Sequence, residues 1–146
     1  MKEKTIIFKN VCKEKALPLD ENMKIIYIFR DTSNLNDKYW SIHEILYIGK
    51  SIDANGRLNS NHEKIPLAKH RLKEGHFLTF AYCVFNGNVS DETIREIENA
   101  LIYKVKPILN IENKDNYNYG PIRIDVSGVR STLLPKTIII NNATEQ

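Results

Sequence analysis

Between Leu46 and Arg57 the chain reads LYIGKSIDANGR, which places a tyrosine, a glycine, a lysine and an arginine within twelve residues at the end of an apolar run. A core strand seldom carries that much polar chemistry. A strand that brings Tyr47, Gly49 and Lys50 into a helix bearing Arg57 can present a phenol and two cations together. A second unusual residue lies further along, in SDETIREIENALIYKVKP. At about 100° per residue, Ile94, Ile97, Leu101, Ile102 and Val105 fall on one stripe of a helix, and Glu98 falls inside that stripe while Glu92 and Glu96 do not. A carboxylate on an apolar face must be paired, protonated or coordinating a cation, because an isolated buried charge is too costly. At the rim of the stripe the same residue would form a structural salt bridge instead. Either way, a cationic group is expected to face Glu98.

The elements that must position these residues are legible in outline. KIIYIF (Lys24 to Phe29), EILYIGK (Glu44 to Lys50) and FLTFAYCVF (Phe77 to Phe85) are short, rich in β-branched and aromatic residues, and bounded by polar ones, so they read as three strands. The stretch RDTSNLNDKYWSIH between the first two is polar and turn-rich, and it reads as an extended hairpin connection anchored by Tyr39 and Trp40. From Asp53 to about Lys73 the pattern is two short helices split near Pro66, the second with an apolar stripe of Ile65, Ala68 and Leu72. Its other faces carry Lys64, Lys69, His70, Arg71 and Lys73, an arrangement that fits either a solvated surface or contact with a nucleic-acid backbone. The longest helix should start after Ser90 as N-cap, with Asp91 and Glu92 at the positive end of its dipole and Pro107 beyond its last turn. IRIDVSGV and KTIIIN read as two further strands whose placement the sequence leaves open.

At 146 residues the chain is expected to be one domain, with a compact centre from 23 to 113 and additions at 1–22 and 114–146. The net charge of +3 is compatible with a polyanionic partner without arguing for one. Cys12 and Cys83 are far apart, with no further cysteine to build a zinc site, which fits a reduced, intracellular setting. No apolar run approaches the ~18 residues of a spanning helix, and MKEKTIIFKNV lacks the apolar core of a signal peptide, so a cytoplasmic protein without a membrane partner is expected.

Taken together, IIYIF, then YIGK with Arg57 eight residues after its glycine, then Glu98 nine residues before PILN, resemble the GIY-YIG nuclease family. The four pieces stand in the family's order and spacing and cover Lys24 to Asn110. The resemblance implies an α+β fold, a small three-stranded antiparallel sheet flanked by helices, and a single divalent cation, Mg²⁺ or Mn²⁺, held by Glu98. Carried over by position, Tyr27 matches the tyrosine of the first motif, Tyr47 and Gly49 the second, and Arg57 the arginine of the following helix. Lys50 matches the lysine that follows the second motif in some branches, and Asn110 the asparagine that closes the active-site region. The sequence also departs from the pattern: Ile25 replaces the first glycine, 19 residues separate Tyr27 from Tyr47 where the family has fewer, and His62 stands five residues after Arg57 where the family often has a histidine four after.

Phosphodiester hydrolysis needs an activated water, stabilisation of charge on the phosphoryl oxygens, and help for the departing alkoxide. Under the resemblance, Arg57 supplies a permanent planar cation for a non-bridging oxygen and Lys50 a point charge. Tyr47 acts as general base with Tyr27 in support, while His62 and Asn110 are supporting candidates. A free phenol titrates near ~10, so the neighbouring cations must favour its ionised form. The expected activity is a divalent-metal-dependent endonuclease acting on DNA, most simply double-stranded, with a homodimer or partner subunit supplying reach for a double-strand cut. The competing expectation is a non-catalytic nucleic-acid-binding module on the same fold.

Overall fold

A computed structural model describes residues 1–8, 10–13, 23–51, 63–128 and 133–141. Along the chain run β1 (Lys2–Ile7), β2 (Asn10–Lys13), β3 (Lys24–Asn34), β4 (Trp40–Ser51), α1 (Lys64–Arg71), β5 (His76–Phe85), α2 (Asp91–Val105), β6 (Ile122–Ser127) and β7 (Thr137–Ile140). They form an antiparallel four-stranded sheet in the order β2-β5-β3-β4 and a three-stranded sheet in the order β1-β6-β7, in which β1 and β6 are parallel. The class is therefore α+β, as the sequence implies. The first sheet has four strands and not the expected three, because Asn10–Lys13 from the N-terminal addition pairs with β5.

Strand β3 is covered on both faces, so its apolar run is continuous where a half-exposed strand would alternate. Ile25, Tyr27 and Phe29 pack with Ile65 and Ala68 of α1. Ile26 and Ile28 pack with Ile94, Ile97 and Leu101 of α2. The β3/β4 pair is also longer than the apolar signals: it runs through the polar residues assigned to a loop, leaving only residues 35–39 as the turn. Those polar residues find partners within the sheet. Arg30 donates from Nε to Thr79 Oγ1 at 3.2 Å, and the Thr32 and Thr79 hydroxyls lie 2.7 Å apart.

Helix α1 begins at Lys64 with Pro66 in its first turn, where a missing N–H costs nothing. The expected companion helix before it lies outside the described residues. Helix α2 starts as its sequence dictates: Thr93 N–H donates to the Ser90 hydroxyl at 3.1 Å, with Asp91 and Glu92 in the first turn. It ends at Lys106, which adopts a left-handed conformation (φ 53°), immediately before Pro107.

The terminal additions explain one residue that periodicity misplaced. Strands β1, β6 and β7 carry Ile6, Ile122, Ile124, Ile138 and Ile140 into the same core as α2, so the helix is buried well beyond its apolar stripe. Glu96, expected on a solvent face, is only 8% exposed, and both of its oxygens accept from Lys2 Nζ of β1 at 3.0 and 3.1 Å. Burial, reinforced by the Glu96 carboxylate and by Tyr119, pushes the pKa of the Tyr117 hydroxyl up to about 12. No helix among the described residues is long and apolar enough to cross a membrane.

Candidate active site

Opposed residues in an antiparallel pair share a face, and the β3/β4 register sets Tyr27 against Gly49 and Phe29 against Tyr47. Tyr27 is fully buried. A Cβ on Gly49 would lie 2.5 Å from both Cζ and Oη of the Tyr27 ring and 2.8 Å from Cε2, well inside carbon contact distance. The glycine of the YIG motif is thus a steric requirement: its missing side chain is the space that the Tyr27 phenol occupies. Phe29 stacks on Tyr27 with centroids 5.4 Å apart, and Tyr47 lies 6.2 Å from Tyr27 and 5.4 Å from Phe29. Tyr47 is only half-buried. Of the two motif tyrosines it is the one a substrate can reach.

Strand β4 is an outer strand, and two devices aim it. The register shifts between the Phe29/Tyr47 and Arg30/Ile45 pairs, so Leu46 is an extra, bulged residue. As a result Leu46 and Tyr47, though adjacent, both join the cluster under α1. The chain following α2 then seals the outward edge. Leu109 N–H donates to Leu46 O at 3.0 Å. The Asn110 side chain accepts from Ile48 N–H at 3.0 Å and donates from Nδ2 to Ile48 O at 2.8 Å. Its amide replaces a neighbouring strand for one residue, between Tyr47 and Gly49. Asn110 is buried and acts as a positioning residue.

The other expected site residues that the structure describes lie on β4, on α2, and in and just after α1. Lys50 opposes Ile26 and so opens toward the face covered by α2, opposite to that of the tyrosines. Glu98 is half-buried on α2, and the carboxylate that this helix buries is Glu96 instead, because β1 and its sheet cover that side. Arg57 and His62 lie outside the described residues. Lys64, at the start of α1, places Nζ 5.9 Å from the Tyr47 ring centroid and is the cation seen beside that phenol. Lys69, His70, Arg71 and Lys73 are exposed, with Arg71 3.8 Å from the Glu44 carboxylate.

Periodicity gave no sign of a second polar group on the tyrosine face. Asp31 and Ser33 follow Tyr27 and Phe29 in alternation along β3. His76 Nδ1 meets Asp31 Oδ1 at 2.6 Å, Ser33 Oγ lies 2.7 Å from His43 Nε2, and the two imidazoles stack 4.4 Å apart. These residues come from β3, β4 and β5, so only the folded register assembles them. His43 is itself the extra residue at a second register shift, between Asp31 and Thr32.

Among the described residues no three His, Cys, Asp or Glu side chains gather into a ready metal cage. The resemblance would give a cation the single carboxylate of Glu98. That set suits a hard cation that keeps most of its waters, as Mg²⁺ does, and does not suit zinc. Comparison with family models gives no match, and comparison with curated proteins and with solved structures gives none either.

Proposed function

We propose that this protein is a divalent-metal-dependent endonuclease that hydrolyses phosphodiester bonds in DNA. The observation that carries the reading is the fit of Tyr27 into the space left by Gly49, with the half-buried Tyr47 beside it. That fit gives a physical reason for the paired tyrosine motifs of the GIY-YIG family, and the Asn110 clamp gives one for the family's asparagine.

In this reading the Tyr47 hydroxyl takes the proton from the attacking water. Tyr27, being fully buried, fixes the strand and the phenol next to it and does not meet water itself. Lys64 sets a positive charge 5.9 Å from the Tyr47 ring centroid, and Arg57 binds a non-bridging oxygen of the scissile phosphate. Glu98 would hold Mg²⁺ or Mn²⁺, which when bound neutralises charge on the phosphoryl group and the departing oxygen. The exposed Lys69, His70, Arg71 and Lys73 bind the DNA backbone without regard to sequence. A homodimer or a partner subunit would supply the second cut of a duplex.

One observation favours a second reading, a nucleic-acid-binding module that does not cleave: Lys50 opens toward the face opposite Tyr47. Incubating supercoiled plasmid with the protein in Mg²⁺, Mn²⁺ or EDTA separates the two. The nuclease reading predicts nicked or linear product with either metal, none in EDTA, and none from Glu98→Gln or Arg57→Ala variants that keep their fold. Retained DNA binding without product in any metal would favour the binding module.

A further inference from the structure

At the end of the four-stranded sheet away from Gly49, Trp40 of β4 meets Phe77 of β5 edge to face, with centroids 5.5 Å apart. From β2, Lys13 Nζ stands 4.6 Å from the Phe77 centroid and 6.0 Å from that of Trp40. Two more large apolar side chains project from the adjoining turn: Leu35 is 68% exposed and Tyr39 63%, while Trp40 itself is 38% exposed. The turn is held in shape from within. The Asn36 side-chain oxygen accepts from the N–H groups of Lys38 and Tyr39 at 2.9 and 3.1 Å, and Leu35 N–H donates to Tyr39 O at 2.9 Å. Rigid aromatic faces left in water are costly unless something covers them, and their preformed geometry means that a ligand pays little ordering entropy.

We propose that this tip is a base-stacking site for unpaired nucleotides, with bases lying on Tyr39 and Trp40 and the adjoining phosphates neutralised by Lys13 and Lys38. The ring-plus-cation chemistry selects this occupant. A π-face accepts any base, and a lysine poised over the rings serves the strand's charge, which an apolar protein partner would leave unpaired. The inference rests on the nuclease reading and narrows its substrate. Strand β4 joins the tip to Tyr47, seven residues or about 20 Å along it, while Trp40, opposite Asn34, opens on the other face of the sheet, so the DNA that is cut would carry an unpaired stretch able to pass round the turn, such as a flap, a bubble or a single-stranded end.

Trp40 is the only tryptophan of the chain, so its emission reports on the site directly. The test is a fluorescence titration with oligothymidylate of about 20 nucleotides, in EDTA so that nothing is cut, repeated with a hairpin duplex of the same charge and with Tyr39→Ala. Saturable quenching by oligothymidylate, weaker for the duplex and weakened about tenfold by Tyr39→Ala, is expected. The same affinity in Tyr39→Ala, a preference for the duplex, or no change in emission while the DNA is bound would overturn the site. So would an emission change that follows protein concentration alone, which would assign the patch to a second copy of the chain. Because the titration reads binding without chemistry, a chain that stacks thymidines but never cuts refutes the nuclease reading alone. One that cuts while Trp40 stays silent refutes this inference alone.

Discussion

Replacing Gly49 with alanine tests the close approach on which the site depends. A methyl carbon there would sit 2.5 Å from Tyr27 Cζ and Oη, roughly 1 Å inside the usual carbon contact of about 3.5–4.0 Å. The ring cannot swing aside freely: it is fully buried, with Phe29 stacked on it and Tyr47 alongside. Overpacking of this kind costs about 1–3 kcal/mol, against which alanine recovers about 0.5–1 kcal/mol of strand propensity, leaving a net loss of roughly 1–2 kcal/mol. Urea unfolding followed by circular dichroism should show the midpoint falling by roughly 1 M at unchanged slope. The clash explanation makes a second demand. In a Tyr27→Leu background the ring is gone, so Gly49→Ala should cost almost nothing further, and the coupling between the two sites should recover most of the single-mutant loss. A Gly49→Ala protein as stable as the parent, or an equal loss in both backgrounds, would refute the steric argument.

Asn110→Ala removes both bonds to the Ile48 backbone and leaves a buried N–H and C=O without partners, so unfolding should show a loss of about 2–3 kcal/mol. Asn110→Asp keeps the acceptor but not the donor and should lose part of that. Ser90→Ala deletes the N-cap of α2 and should cost about 1 kcal/mol in the same assay. Tyr117 has its hydroxyl pushed up to about 12, above the unfolded value near ~10, so its contribution is complete below about pH 10 and is lost as pH rises toward 12. The stability of the parent should therefore fall by roughly 2 kcal/mol more than that of Tyr117→Phe between those pH values, and parallel losses would contradict the shift.

How much of this was legible in the sequence depended on whether a residue's surroundings were local. The Ser90 cap, the end of α2 before Pro107, the strand cores around Tyr27, Tyr47 and Phe80, and the α1 stripe of Ile65 and Ala68 follow from near neighbours along the chain, and the structure has them. The outer halves of β3 and β4 were not legible. Their strand pairing is maintained by polar side chains, Asp31 with His76 and Ser33 with His43, whose partners lie on other strands. Glu96 was misplaced for a related reason: helical periodicity finds one buried stripe, whereas α2 also packs against a second sheet whose strands come from both ends of the chain. The motif residues stand out through their spacing. That spacing says nothing of the β4 bulge, of the Asn110 bonds that reach 62 residues back to Ile48, or of the side of the sheet on which Lys50 emerges.

The central claim is a division of labour between the two tyrosines: Tyr47 performs the proton transfer and Tyr27 positions it. The most direct measurement is the single-turnover rate of DNA cleavage, with saturating protein, for Tyr47→Phe and Tyr27→Phe. Phenylalanine keeps each ring and removes only the hydroxyl. The account predicts that Tyr47→Phe slows cleavage by about 10²–10⁴-fold with DNA affinity unchanged, while Tyr27→Phe slows it far less. Full activity in Tyr47→Phe, or the larger loss falling on Tyr27→Phe, would contradict it.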